Sequence, residues 1–147
     1  MKRGYVICLL LCFLSGIAIL NADNERPLRM EQLPKKIQDF VTLYFPNAKL
    51  ALAKVEEEHF NCEYDLIFTD GNKIEFYCNG DWKEIKCKRN FVPLEVLPEK
   101  IVAFLSSNYP DVQVLQAERT KKHYKLKLSN RWKLKFDKNG CLIDADH

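Results

Sequence analysis

The chain has 147 residues, 47% of them hydrophobic and 29% charged, with 23 basic and 20 acidic side chains. That length suits one domain, or two small halves sharing a core. The near balance of charge leaves no electrostatic footprint for nucleic acid.

Residues 1–22 read as a signal peptide. Lys2 and Arg3 precede an apolar run from Val6 to Leu20, right for a leader and short for a membrane span. Ala22 is one cleavage position, with Leu20 a poor match at −3, and Ala18 with Gly16 at −3 is the competitor. Setting Lys2 and Arg3 aside leaves 21 basic side chains against 20 acidic, a net of about +1, and no integral membrane segment. Residues 23–32 are polar and expected as an N-terminal arm. Pro34 then suits the first turn of a helix, in which Ile37, Phe40, Val41 and Tyr44 share one face until Phe45-Pro46 stops it. Strands are expected over 49–57, 60–69, 72–77 and 81–86, with Asn79-Gly80 a tight turn between the last two. Residues 88–96 form a connector. A second helix over 98–108 follows, and then strands near 112–119, 123–129, 132–137 and 141–144.

The second half rewrites the first. YDLIFTDGNKIEFYCNG at 64–80 returns as YKLKLSNRWKLKFDKNG at 124–140, and LPKKIQDFVTLYFPNA at 33–48 returns as LPEKIVAFLSSNYPDV at 97–112. The chain therefore reads as a tandem repeat, repeat 1 over 33–87 and repeat 2 over 97–144. The fold class is α+β: two α-β4 units forming one antiparallel sheet of about eight strands, with two helices packed on its apolar face. Phe40 and Phe104 hold equivalent helix positions facing that sheet.

Four cysteines follow the leader: Cys62, Cys78, Cys87 and Cys141. Export places them where disulfides persist. Alternation requires Tyr64, Leu66 and Phe68 to share a face with Ile74 and Phe76, and a Thr69-Asp70-Gly71 loop with Gly71 left-handed sets the register. Tyr64 then opposes Phe76, Leu66 opposes Ile74, and Cys62 opposes Cys78 as a disulfide candidate. The second copy has Lys122 and Lys138 there, and Asn130-Arg131 in place of Asp-Gly asks a non-glycine to take positive φ. Cys87 and Cys141 are left as a second pair or, preferred here, as free thiols.

The helix motif LPxKI…F…(Y/F)P, then Y-x-L-x-(F/L)-x-(D/N) and a K-(I/L)-(E/K)-F…N-G hairpin, occurs in both copies. Together with Gly80-Asp81-Trp82 and the leader, it resembles the exported β-lactamase-inhibitor-like, PepSY-like family, over roughly residues 23–144. The resemblance implies a two-layer α/β fold, an envelope location, periplasmic or secreted, and no established activity. Fold likeness does not carry function.

Candidate chemistry is sparse. His59 and Cys62 stand three apart, but no CxxC, HExxH, GxSxG or phosphate loop supports catalysis or metal binding, and no cofactor is expected. Trp82 could serve as a carbohydrate platform, although a tryptophan covering a helix edge is the plainer reading. In the derived register Lys125 opposes Lys135 and Lys127 opposes Lys133 on the outward face, with Lys121, Lys122, Arg131 and Lys138 nearby. The expectation is a basic face on repeat 2 and a mixed, acidic one on repeat 1. The function expected is an exported, non-enzymatic binding protein, a protein-binding or inhibitor-like module, whose partner is an envelope protein or an anionic glycan or lipid. The alternative is a small-ligand carrier or sensor, which would need a cavity between helices and sheet.

Overall fold

The computed structural model describes residues 25–58 and 61–147. The leader read at 1–22 and His59 lie outside them. Nine strands form a single antiparallel sheet in chain order. They are β1 (Glu25–Leu28), β2 (Leu50–Glu58), β3 (Asn61–Phe68), β4 (Lys73–Tyr77), β5 (Trp82–Lys86), β6 (Val114–Arg119), β7 (His123–Leu128), β8 (Lys133–Asp137) and β9 (Leu142–Asp146). Helix α1 (Lys35–Tyr44) precedes β2, and α2 (Glu99–Asn108) lies between β5 and β6.

The expected arm is not loose. Residues Glu25–Leu28 pair with β2, Glu25 against Glu56 and Leu28 against Ala53, which raises the strand count from about eight to nine. The segment carries charges and Pro27, poor strand formers that are tolerated at a sheet edge. The open edge of β2, not local propensity, makes it a strand.

Each helix starts after a proline in extended conformation, Pro34 and Pro98, and each ends at an aromatic residue, Phe45 and Tyr109. Ile37 and Val41 of α1 and Ile101 and Leu105 of α2 are buried with the inward residues of the sheet in one core cluster. The largest inward side chains include Leu66, Phe68, Ile74, Phe76, Leu126, Leu134 and Phe136. Phe40 and Phe104 are only half-buried. Each still sets its ring edge-on to a sheet phenylalanine at 5.3 Å, Phe40 on Phe76 and Phe104 on Phe136. At the Asn-Gly turns, Gly80 and Gly140 have φ of 77° and 78°. A Cβ there would lie 3.1 Å from Lys36 and 3.0 Å from Lys100, so both the left-handed backbone and the helix above favour glycine.

The β3–β4 hairpin has Tyr64 opposite Phe76 and Leu66 opposite Ile74, with Gly71 at φ 85° in its turn. The corresponding turn of β7–β8 puts Arg131 at φ 77°. Cys62 and Cys78 are disulfide-bonded, with Cα atoms 5.1 Å apart. Cys87 is a buried free thiol, pushed up to about 11 by burial and then by the charge of Asp70. Cys141 is free and exposed, with its Sγ 3.0 Å from the Lys100 ammonium.

A polar clamp joins the first hairpin to the connector. Asn72 is fully buried and its side chain donates to Asp70 at 3.0 Å and to Asn90 at 2.6 Å. Its Oδ1 accepts the Lys88 N–H at 2.9 Å. Trp132 holds the equivalent place in the second half, half-buried against Tyr109 and His147, so this clamp belongs to the first half alone.

Candidate docking surface

The helices cover one side of the sheet and leave the other open. Alternation decides which side chains reach that open side, and they are overwhelmingly charged. Over β1–β5 every lysine is paired with an acid. Lys54 pairs with Glu25 and lies 3.7 Å from Asp65, and Lys73 reaches Asp65 at 3.2 Å and Glu75 at 2.8 Å. Lys83 continues the chain to Glu75 at 3.6 Å and Glu63 at 2.6 Å, and Lys86 pairs with Glu84 at 2.7 Å. Asp65 directly opposes Glu75, and Lys73 reconciles the two. Burial alone would raise the Glu75 pKa. The lysines 73, 83 and 86 outweigh it and hold the carboxyl below its ordinary value. This face is an ion-pair lattice in which acids outnumber lysines.

The β6–β9 face is arranged differently. Lys125 opposes Lys135 and Lys127 opposes Lys133, so the four lysines make two adjacent cationic rows. They line one depression of about 520 Å³ together with Gln116, Glu118, Asp144 and Asp146. The basic face expected on repeat 2 carries acids as well. Strand β6 sets Glu118 against Lys125, and β9 sets Asp144 against Lys135 and Asp146 against Lys133. Acids therefore flank the lysines on both sides, Glu118 beside Gln116 on β6 and Asp144 with Asp146 on β9. Lys125 lies 3.4 Å from Glu118, and Lys133 lies 4.0 Å from Asp146. Among the described residues, Lys127 and Lys135 make no ion pair within 4.0 Å. The correction comes from sheet order: the sequence shows the charges on β6 and β9 but not which strands they will lie beside.

Arg119, which the sequence did not single out, seals the junction between the two halves. Its guanidinium lies over the Trp82 ring at 4.8 Å, its Nε donates to the Trp82 carbonyl at 3.0 Å, and Asp81 is 3.5 Å away. Tyr77 adds a 2.7 Å hydrogen bond to the Arg119 carbonyl. Hydrogen bonding from Lys36, then the Arg119 charge, keeps the Asp81 carboxyl below its usual range. Trp82 is 5% exposed beneath this cap, so its ring is not presented as a carbohydrate platform. Among the described residues, no three of the His, Cys, Asp or Glu side chains group to hold a metal, and no helix is long and apolar enough to cross a membrane.

The model of the family "Putative beta-lactamase-inhibitor-like, PepSY-like" matches residues 62–144. The chain belongs to this family. Among solved structures, the PepSY-like chain is 44% identical to a "putative periplasmic protein" from Bacteroides vulgatus, with a TM-score of 0.82 over 86% of this chain and 99% of that one. A "putative calcium-regulated periplasmic protein" from Bacteroides thetaiotaomicron is also 44% identical, with a TM-score of 0.81 over 86% and 99% of the two chains. A further B. vulgatus periplasmic protein of unknown function is 30% identical at TM-score 0.76, over 84% and 99%. A search of curated proteins returns no match. The family match runs from β3 into β9.

Proposed function

We propose that this PepSY-like protein is an exported, non-enzymatic binding module of the cell envelope. In this reading two copies of one α-β4 unit build the scaffold, and the helix-free face of β6–β9 docks a macromolecular partner. The observation that carries the reading is the contrast between the two halves of that face. On β1–β5 the lysines are consumed by ion pairs, whereas on β6–β9 Lys127 and Lys135 stand without one among the described residues, in a depression of about 520 Å³. Directly opposed lysines are mildly destabilising on a sheet, so the fold gains nothing from keeping them together. The export assignment rests on the leader-like residues 1–22 and on the periplasmic description of the relatives. A carrier of small ligands is less well supported, because helix and sheet side chains pack as one core.

Changing Lys125, Lys127, Lys133 and Lys135 together to Gln tests the reading. Stability should stay the same or rise slightly, because two opposed lysine pairs are relieved. Capture of an envelope partner on immobilised protein should weaken and lose much of its salt dependence, since exposed charges act over roughly 8 Å at physiological salt. Undiminished capture by the fourfold variant removes the docking face.

A further inference from the structure

The charge pattern on the β6–β9 face also restricts what can sit there; this step rests on the docking reading above. Counting across the sheet, β6 contributes Glu118, β7 contributes Lys125 and Lys127, β8 contributes Lys133 and Lys135, and β9 contributes Asp144 and Asp146. The two basic rows are flanked by one acid beside a glutamine on β6 and by two acids on β9, the rows lying about 5 Å apart at the backbone. A polyanion such as a sulfated polysaccharide or an anionic bilayer spreads one sign of charge over the whole footprint. It would meet repulsion from Glu118 beside Lys125 and from Asp144 and Asp146 beside Lys135 and Lys133. Like charges brought together across an interface repel, and this excludes a partner as effectively as attraction selects one.

We infer that the occupant of this face is a folded protein presenting a narrow acidic ridge flanked by basic side chains. The ridge supplies carboxylates to Lys127 and Lys135, which among the described residues make no ion pair within 4.0 Å, unlike Lys125 and Lys133 beside them. The flanking bases meet Asp144 and Asp146, whose strand is wholly exposed. An acidic ridge is confined to β6–β9, because over β1–β5 every lysine already has an acidic partner. Only a fixed two-dimensional arrangement of both signs satisfies all four rows at once.

The test uses the full-length exported protein carrying a photo-reactive residue in place of Gln116, which lines the depression, so that only an occupant of this face is cross-linked. A single envelope protein should be trapped. With that protein purified, Lys127→Gln/Lys135→Gln and Asp144→Asn/Asp146→Asn should each weaken binding about tenfold, the scale of a lost charge complement at an interface. In parallel, heparin and vesicles of one-third phosphatidylglycerol serve as polyanion probes. The wild-type protein should bind both weakly, and Asp144→Asn/Asp146→Asn should bind them more tightly. Tight wild-type binding to heparin or vesicles, lost in Lys127→Gln/Lys135→Gln and with no protein trapped, overturns the folded-protein occupant while sparing the docking face. A trapped protein whose affinity rises in Asp144→Asn/Asp146→Asn likewise overturns it. No trapped protein and no polyanion binding overturns both readings.

Discussion

The pairs Phe40–Phe76 and Phe104–Phe136 give the most direct measure of how the helices are held to the sheet. Truncating a fully buried phenylalanine to alanine costs about 3–5 kcal/mol. Phe76 and Phe136 are 0% exposed and should fall in that range. Phe40 and Phe104 keep part of their rings in water, so about 2–3 kcal/mol is the scaled expectation for each. Both pairs are edge-on at 5.3 Å, with interplanar angles of 87° and 79°. That geometry adds about 0.5–1.5 kcal/mol beyond area burial. Phe40→Ala with Phe76→Ala should therefore cost less than the two separately, by roughly that coupling, and the Phe104–Phe136 cycle should match it. Urea denaturation with a constant m-value reads all of these quantities. Costs under about 1 kcal/mol for both Phe40→Ala and Phe104→Ala would show that these helix faces do not belong to the core. Coupling indistinguishable from zero in both cycles would refute the edge-on packing alone.

Peptide mapping of the oxidised, exported protein under non-reducing conditions should recover a Cys62–Cys78 linkage, and its loss should cost roughly 3 kcal/mol on the chain-entropy estimate; free thiols at both positions would contradict the bridge. Asn72→Ala should cost about 1–3 kcal/mol, because it removes the acceptor of the part-buried Lys88 N–H bond and breaks two further hydrogen bonds. Faster amide exchange at Lys88 should accompany it, and a cost below about 0.5 kcal/mol would dissolve the clamp. The lowered folded-state pKa of Glu75 means its contribution is fully present above its ordinary value of 4.5 and is lost as pH falls through the depressed value. Stability should therefore drop on acidification below about pH 4.5, and Glu75→Gln should flatten that drop; an unchanged acid profile in the variant would show that the lysines around Glu75 contribute nothing.

Local pattern carried much of the fold. Alternating apolar residues around Asp70-Gly71 and Asn130-Arg131 determine both hairpin registers, because a slip of one residue would turn every side chain to the wrong face. The same alternation fixed that Lys125, Lys127, Lys133 and Lys135 project together, and helical spacing fixed the buried Ile37–Val41 and Ile101–Leu105 faces. Other features depended on partners far away in the chain. Glu25–Leu28 is a strand only because β2 offers an unpaired edge. Arg119 finds Trp82, and Asn72 finds Lys88 and Asn90, only after β5, β6 and the connector are brought together. The character of the candidate face was decided the same way. Sequence placed four lysines on one side, but pairing with β6 and β9 placed Glu118, Asp144 and Asp146 beside them. Side-chain direction is a property of each strand's own two-residue period, whereas the charge next door belongs to whichever strand the sheet sets alongside.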